Sequence, residues 1–427
     1  MVIGLTLFAV FIILLFAGLP VSYSMALSTL VALLMGDYST EILSLTVVEG
    51  VQSYILLAVP FFILAGNLMN ATGITQRIFD FSAALVSHIR GGLAQVNIVA
   101  SMIFSGISGT AVGDQAGLGA IEMKAMMEKG YSRSFSAAIT LASSVIGAII
   151  PPSVPFVVYA YLAEVSVAKL FTAGIVPGLV IAACLMLYTF IVSKYGWVTV
   201  PPEEPFEPRK VFRTFLDGFF ALLAPLVILG GMLGGVVTPT EAGLLAVLYA
   251  LFCSLIYREF NWRTIGGAFR QTVLTTAVIM FLVGVGTSMG WVVSAEQLPI
   301  VMSNFLLGLT DNKLTMLLLI NLLLLFLGSL MEGIPIKLIL LPILLPIIDS
   351  LGIDRIHFGV VMSYNLLIGM ATPPVGLGLY VMSSVGKISF EKMVKAILPI
   401  YIPLIAALLI LTYIPALSLW LPQLLFD

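Results

Sequence analysis

The sequence predicts an all-α protein that crosses a membrane many times and consists of two repeats of inverted topology. Three observations predict this fold class. Of the 427 residues, 60% are hydrophobic and only 9% are charged, against about 25% charged in an ordinary soluble domain. Apolar runs of about 20 residues, the length of a membrane helix, recur along the chain. Two of these runs carry the same break, GAIIPP and GMATPP, whose first glycines are 222 positions apart (369 − 147).

The first repeat begins with helices that are apolar throughout and continues with less regular segments. Its predicted elements are membrane helices within 1–70, an amphipathic arm at 73–90, a re-entrant hairpin at 91–128, a broken helix at 133–163 and a helix at 168–193, all within residues 1–199. The hairpin is predicted because Gly, Ser and charged residues interrupt an apolar segment. The proline-rich stretch VPPEEPFEPRK then predicts a cytoplasmic linker at 200–211.

The second repeat has the same order of elements. They are membrane helices within 212–292, an arm at 293–310, a second re-entrant hairpin at 313–348, a broken helix at 357–385 and a helix at 396–420, all within residues 212–427. An offset close to 222 also pairs Gly106 with Gly328 and Pro177 with Pro399. Because the two halves begin on opposite sides of the membrane, the pattern is the inverted repeat typical of secondary transporters.

The positive charges support both hairpins. Five clusters hold most of the 19 lysines and arginines, and all five lie on one face if each hairpin enters and leaves the membrane by the same side. The positive-inside rule makes that face cytoplasmic, which predicts both termini on the opposite side, the periplasmic one if the membrane is the inner membrane of a bacterium. The net charge of −2 gives no basic footprint for nucleic acid.

The two proline breaks predict cation sites. Proline breaks a helix and removes a donor, which frees backbone carbonyls, and these together with hydroxyl groups supply the hard oxygen ligands that suit Na⁺. The first predicted Na⁺ site consists of Ser105, Ser108, Gly147, Ile150 and Pro152, the last three through their carbonyls. The symmetry predicts a second site at Gly328, Gly369, Thr372 and Val375. The alternative is that the small residues only allow close helix packing.

Polar residues near the breaks are candidates for contact with a substrate. They are Ser143, Ser144, Asn365 and Asp114. Serine hydroxyls in helices also bond back to their own backbone, which is the alternative for the two serines. Glu332 and Lys337 are ionisable residues within the second hairpin, and such residues in membranes are functional candidates by default. Each either binds a ligand, stabilises its hairpin or faces water.

Other classes of membrane protein lack support in the sequence. No GxxxxGK[ST] loop occurs, so the chain has no P-loop for ATP. No HExxH motif occurs, and the two histidines are far apart in sequence, which argues against an intramembrane hydrolase. The one GxSxG match, GTSMG at 286–290, lies within the predicted membrane helices of the second half. A channel would not need the inverted repeat of a transporter.

Four motifs together resemble a known family. SGISGTAVGD, GAIIPPS, GGVVTPTEAG and GMATPPVG occur in this order over essentially the whole chain, and the combination is similar to the large membrane subunit, of DctM or SiaM type, of tripartite ATP-independent periplasmic (TRAP) transporters. The resemblance implies a Na⁺-driven importer of an organic acid, such as a C4-dicarboxylate or sialic acid, without ATP. It also implies an elevator mechanism, in which the hairpins and broken helices slide against a scaffold formed by the other helices.

The same resemblance implies partners. They are a small four-helix membrane subunit of DctQ or SiaQ type and a periplasmic substrate-binding protein of DctP or SiaP type, in the inner membrane of a bacterium. The family's Na⁺ ligands fall on the residues of the two predicted sites. The alternative within transporters is a Na⁺/dicarboxylate symporter that works without a binding protein.

Overall fold

The computed structural model describes residues 2–202, 205–310 and 312–426. Every regular element in these ranges is a helix, in agreement with the all-α prediction. The predicted linker at 200–211 includes residues 203 and 204, which lie outside the described ranges.

Among the described residues, the first half contains eleven α-helices. They are α1 (Val2–Phe16), α2 (Val21–Met35), α3 (Glu41–Val51), α4 (Ala58–Ala71), α5 (Ile74–Val86), α6 (Leu93–Ser108), α7 (Ala111–Ala116), α8 (Leu118–Glu128), α9 (Arg133–Ser144), α10 (Val154–Ala163) and α11 (Val167–Lys194). Short 3₁₀ turns at Tyr54–Leu57 and Ile146–Ala148 precede α4 and follow α9.

The second half contains twelve α-helices within the same described ranges. They are α12 (Pro208–Asp217), α13 (Phe219–Leu233), α14 (Pro239–Ile256), α15 (Trp262–Ala295), α16 (Leu298–Leu309), α17 (Lys313–Leu330), α18 (Gly333–Ser350), α19 (Arg355–Met370), α20 (Leu377–Gly386), α21 (Phe390–Ile397), α22 (Tyr401–Tyr413) and α23 (Ala416–Phe426). A 3₁₀ turn at Leu398–Ile400 joins α21 to α22.

Length and apolarity identify the helices able to cross a membrane. In the part of the chain that the structure describes, seven helical segments qualify, or up to eight if the pair α12 and α13, bent by 64°, is one span. The seven are Tyr54–Ala71, α11, α14, α15, α17, α18 and Phe390–Tyr413. The chain is therefore a multi-pass membrane protein, and several of its apolar helices, α6 and α10 among them, are shorter than a single span requires.

The first broken helix follows from its prolines and its caps. Helix α9 ends at Ser144 and α10 begins only at Val154, with Pro151 and Pro152 between them. The hydroxyl of Ser153 then accepts a hydrogen bond from the Phe156 N–H, which caps the new helix as a serine at this position commonly does. The chain thus starts a second helix after an irregular segment that is buried along most of its length.

The second broken helix is also two helices joined by an irregular segment with a proline pair, but that segment is more exposed. Helix α19 ends at Met370 and α20 begins at Leu377. The break between them is partly open, because Val375 is 42% exposed whereas Pro151 and Pro152 are buried. The two breaks are therefore equivalent in sequence but not in their access to the surroundings.

The predicted hairpins are helical on both arms. In the first, α6 ends at Ser108 and the chain returns through α7 and α8; in the second, α17 ends at Leu330 and returns through α18. The second tip is very short, since only Met331 and Glu332 separate its two helices.

Some helices were not predicted as separate elements. Helix α3 is a short helix within the predicted membrane helices of 1–70, and the predicted helix at 396–420 is divided between α22 and α23. Helix α12 begins inside the predicted linker and is strongly amphipathic, with no buried residue. The basic residues and the one proline of α12 resemble a loop in composition, and its apolar side chains continue directly into those of α13. Hydropathy alone therefore did not separate it from the span.

The centre of the molecule is formed by the first halves of the broken helices. Every residue of α9 from Phe135 to its end is buried, as is every residue of α19 from His357 to its end. Many of these side chains are polar, and they bring hydroxyl and amide groups into the middle of an otherwise apolar bundle. The irregular backbone at the first break is therefore surrounded by protein, as polar backbone at membrane depth requires, whereas the second break is partly exposed.

Candidate substrate and ion site

A cavity of about 500 Å³ lies where the hairpin tips and broken helices meet α4 and α15. One side is formed by the start of α7, the start of α10, the first turns of α18 and part of α19. The other is formed by α4 and α15. The polar residues on its wall are Asn67, Asn70, Thr110, Gln271, Thr275, Glu332, Lys337 and Ser363. A mostly apolar cavity with a few convergent polar groups is the usual form of a small-molecule site.

The first hairpin tip is fastened to the first break. The backbone N–H of Val154, the first residue of α10, donates to the carbonyl of Gly109 at 3.0 Å. Gly109 has a φ of +65°, and an added Cβ would lie 3.0 Å from the carbonyl oxygen of Pro152. Both the backbone conformation and the close approach require glycine here. The hairpin tip and the break therefore form one local unit.

The first predicted Na⁺ site has oxygen atoms without protein partners. Ser108 Oγ is buried and has no hydrogen-bond partner among the described residues. In the same part of the chain, no N–H or hydroxyl group donates to the carbonyls of Gly147, Ile150 and Pro152. Ser105 Oγ is buried but donates to Met102 O at 2.6 Å, which still leaves its lone pairs. This donor set is the one that a hard monovalent cation prefers, so the residues fit Na⁺.

Asp114 lies against the same break. An added Cβ on Gly147 would be 2.7 Å from Asp114 Oδ2. The Asp114 side chain is 1% exposed, and neither carboxylate oxygen has a hydrogen-bond partner within the described ranges. Burial of an uncompensated carboxylate is costly, so a cation nearby would offset part of that cost. Asp114 does not line the cavity. Its carboxylate lies against Gly147 at the break instead.

The second hairpin tip is fastened to the second break in a related way. The N–H groups of Val375 and Gly376 both donate to the carbonyl of Ser329, at 3.1 and 3.0 Å. Gly328 and Gly369 are in direct backbone contact, since an added Cβ on Gly369 would lie 2.6 Å from the Gly328 Cα. The structure thus brings these two predicted ligands together.

The second predicted Na⁺ site is less complete than the first. Of its carbonyls, those of Gly328 and Val375 accept no hydrogen bond among the described residues, whereas that of Gly369 accepts one from Thr372 N at 2.8 Å. Thr372 Oγ1 donates to Ile368 O at 2.8 Å, so only its lone pairs remain for a cation. The backbone fits a cation here, with fewer free oxygens than at the first break.

The polar residues nominated for substrate contact join helices to one another. Ser143 Oγ donates to Asn97 Oδ1 at 2.5 Å, which connects α9 to α6. Asn365 Nδ2 donates to Asn321 Oδ1 at 2.7 Å, which connects α19 to α17. In each half, a polar pair therefore binds the broken helix to the first arm of its hairpin.

Ser144 has a similar local role. Its hydroxyl donates to Leu141 O at 2.8 Å and accepts from Gln115 Nε2 at 3.0 Å. None of Ser143, Ser144 and Asn365 is on the cavity wall. Their contact with a substrate stays a prediction that the cavity does not support.

Sequence reasoning did not nominate the polar residues on the α4 and α15 side. Asn67, Asn70, Gln271 and Thr275 all line the cavity. Asn67 Nδ2 donates to Thr272 Oγ1 at 2.9 Å, which connects α4 to α15. The three amide residues could have been nominated from the sequence, because polar side chains in apolar helices usually face a protein interior or a cavity.

The chain matches known proteins over nearly its whole length. The family profile described as "Tripartite ATP-independent periplasmic transporter, DctM component" matches residues 8–417. The chain is 43% identical to the sialic acid TRAP transporter large permease protein SiaM of Vibrio cholerae, over 96% of each chain. It is 38% identical to the C4-dicarboxylate TRAP transporter large permease protein DctM of Pseudomonas aeruginosa, over 92% of each.

A solved structure shares the fold. The YdaH transporter of Alcanivorax borkumensis, whose crystal structure is described as having an unusual topology, superposes with a TM-score of 0.61. The match covers 88% of this chain and 87% of that one, at 16% sequence identity. At that identity the likeness concerns the fold alone.

Proposed function

The chain belongs to the DctM component family of tripartite ATP-independent periplasmic transporters, and from this premise we propose that it is the permease of a Na⁺-driven importer of an organic acid. A transport role is common to the relatives, which are named as permease subunits. The substrate proposed is a C4-dicarboxylate, sialic acid or a similar carboxylate, since these are the substrates in the names of those relatives. The same family implies a place in the bacterial inner membrane.

One observation carries the Na⁺ proposal. Ser108 Oγ is buried without a partner, next to a break at which three carbonyls accept no hydrogen bond among the described residues. Buried polar groups in proteins are nearly always paired. Four unpaired oxygens at one break, one of them a buried hydroxyl group and all of them hard ligands, are best explained by a cation that binds them.

Coupling follows if ion and substrate stabilise the same arrangement of the hairpins and breaks. The Val154–Gly109 and Gly376–Ser329 hydrogen bonds join each hairpin tip to its break, and both tips border the cavity. Ions that order the breaks would therefore order the wall that meets the substrate. Each ligand then raises the affinity for the other by the same factor.

The proposed movement is an elevator. The hairpins, the broken helices and the cavity wall that they form would slide against α4 and α15, which form the opposite wall. Such a movement requires that substrate and ions favour the loaded state over the partly loaded ones. The connection of Asn67 to Thr272 holds the two stationary helices together.

The proposal includes two partners. A periplasmic binding protein would deliver the substrate, and a small four-helix membrane subunit would enlarge the stationary part. Both are implied by the family, and the large exposed apolar surface of helices such as α1, α13 and α15 is compatible with a membrane partner as well as with lipid.

The test is reconstitution in proteoliposomes of the chain with and without its two partners, with an inward Na⁺ gradient and labelled carboxylates outside. Uptake is expected only when all three proteins are present. Uptake by this chain alone would contradict the tripartite assignment and favour a binding-protein-independent symporter.

A further inference from the structure

The cavity wall contains a buried lysine whose charge has no acidic partner. Lys337 lies in the second turn of α18, is 1% exposed and lines the cavity. Its Nζ donates to the carbonyl of Pro155 at 2.8 Å and to Ser363 Oγ at 2.8 Å. Within the described residues, no carboxylate forms an ion pair with it. Both of its partners are neutral oxygens.

The lysine and the serine retain donors that these bonds do not use. An ammonium group has three N–H donors, of which Pro155 O and Ser363 Oγ accept two. Ser363 Oγ accepts from Lys337, and no group among the described residues accepts its own proton. The two donor atoms are 2.8 Å apart on one wall. A carboxylate, with two oxygens held side by side, can accept from both.

A buried cation with neutral partners is unstable on its own. Taking an ammonium group out of water costs several kcal/mol that neutral acceptors repay only in part. Glu332 lies on the same cavity wall but forms no ion pair with Lys337. The start of α18 also borders the cavity through Gly333 and Ile334, and the positive end of a helix adds to the attraction for an anion.

We propose that Lys337, together with Ser363, forms the subsite that binds a carboxylate group of the substrate. This inference rests on the proposed function and deepens it, because it assigns the charge that selects an anionic substrate.

Lys337 contacts segments from both halves of the chain. Its side chain starts on the second hairpin and contacts the start of α10, directly after the first break, and also Ser363 of α19, the helix that ends at the second break. A carboxylate that binds the ammonium group therefore acts on segments next to both predicted Na⁺ sites. Charge recognition and ion binding would then be coupled through one side chain.

The test is the concentration dependence of uptake in the complete reconstituted system, measured for succinate, N-acetylneuraminate, lactate and gluconate. Lys337→Gln should raise the half-saturating concentration of the transported acid by roughly ten- to a hundredfold, the effect of losing a charge-assisted hydrogen bond. Lys313→Gln is the matched control, because it removes a lysine from the same hairpin whose Nζ also donates to a backbone carbonyl, that of Gly352, outside the cavity. It should leave that concentration unchanged.

A purely structural role would lower the maximal rate through loss of folded protein, without raising the half-saturating concentration. Ser363→Ala, which keeps the charge, provides a second variant if Lys337→Gln does not fold; it should raise the half-saturating concentration severalfold. An unchanged value in the folded variants would overturn the subsite and leave the proposed function intact. Absence of uptake of all four acids by the unsubstituted system would overturn both.

Discussion

Two serines on one turn of α6 differ in whether their hydroxyl groups are already hydrogen-bonded, and this difference distinguishes them as candidate ligands. Ser105 and Ser108 are both buried, and the sequence treats them alike. In the structure, Ser105 Oγ already donates to Met102 O, whereas Ser108 Oγ has no partner among the described residues. Of these two serines, Ser108 is therefore the one whose buried hydroxyl group needs a ligand.

The first prediction concerns Ser108→Ala. It should raise the Na⁺ concentration for half-maximal uptake by about tenfold, equivalent to ~1.4 kcal/mol, because one cation ligand is removed and no protein hydrogen bond is lost. Ser82→Ala is the control, since Ser82 is equally buried on α5 but its hydroxyl donates to Ile78 O. An unaltered Na⁺ dependence of Ser108→Ala would remove this residue from the site.

The second prediction concerns Thr372. Thr372→Ala should weaken Na⁺ activation by a smaller factor than Ser108→Ala, because the Thr372 hydroxyl already donates to Ile368 O and offers only lone pairs. Thr372→Ser keeps that oxygen and should behave like the unsubstituted protein. Equal and normal Na⁺ activation in the alanine and serine variants would argue against a cation at the second break.

At the scale of elements, the contact between hairpin and broken helix depends on glycine. In the second half, α17 and α19 approach so closely that the backbones of Gly328 and Gly369 touch. In the first half, the side chain of Asp114 occupies the space next to Gly147 instead. The equivalent glycines of the two breaks therefore have different roles. Gly369 allows two helices to touch, and Gly147 leaves room for a carboxylate.

The third prediction concerns Gly369→Ala. The added methyl group would meet backbone atoms of Gly328, which cannot rotate away, so it should separate the hairpin from the broken helix. We expect a loss of about 1–3 kcal/mol in stability, the usual cost of overpacking, and loss of transport. A lower thermal midpoint of the purified protein measures the first effect.

The control for that substitution is on α15. Gly266→Ala adds a methyl group where no atom lies within 4 Å, and alanine favours a helix over glycine by about 1 kcal/mol. Its thermal midpoint should be unchanged or higher. If Gly369→Ala were as stable and active as Gly266→Ala, close contact at the second break would not matter for function.

The elements that sequence predicted best are those with a chemical signal. Proline pairs predicted the two breaks, at which α9 and α19 end. The Gly- and Ser-rich interruptions predicted re-entrant hairpins; the chain is helical on both sides of each interruption, and entry and exit on one side of the membrane stays a prediction. Helix α12 lacked such a signal: its start lies in a proline-rich, charged stretch and its end merges with an apolar span. The position of its bend depends on packing that hydropathy does not describe.

The site could be predicted only in part for a similar reason. The proline pair itself indicated the free carbonyls, and the hydroxyl-rich stretch SGISGTAVGD indicated Ser108. The Lys337–Ser363 contact joins two helices, and the wall formed by α4 and α15 is distant from both breaks in the chain. Contacts between distant segments need the three-dimensional arrangement, and a single sequence does not contain it.

At the scale of the whole molecule, the buried polar helices α9 and α19 occupy the centre and the longer apolar helices surround them. This arrangement buries the first break away from lipid, where unpaired polar groups would cost several kcal/mol each, while the second break is partly exposed. It also brings both breaks and the cavity into one region. The proposed account is that ions at the breaks and an acid in the cavity stabilise one another there.

The most direct measurement of that account is accumulation of the transported acid in proteoliposomes that contain the complete system, at zero membrane potential. An inward Na⁺ gradient should drive the internal concentration above the external one, and an equal K⁺ gradient should not. Reversal of the Na⁺ gradient should cause efflux. Accumulation that is the same with K⁺ as with Na⁺, or uptake that never exceeds equilibrium in either salt, would contradict the account.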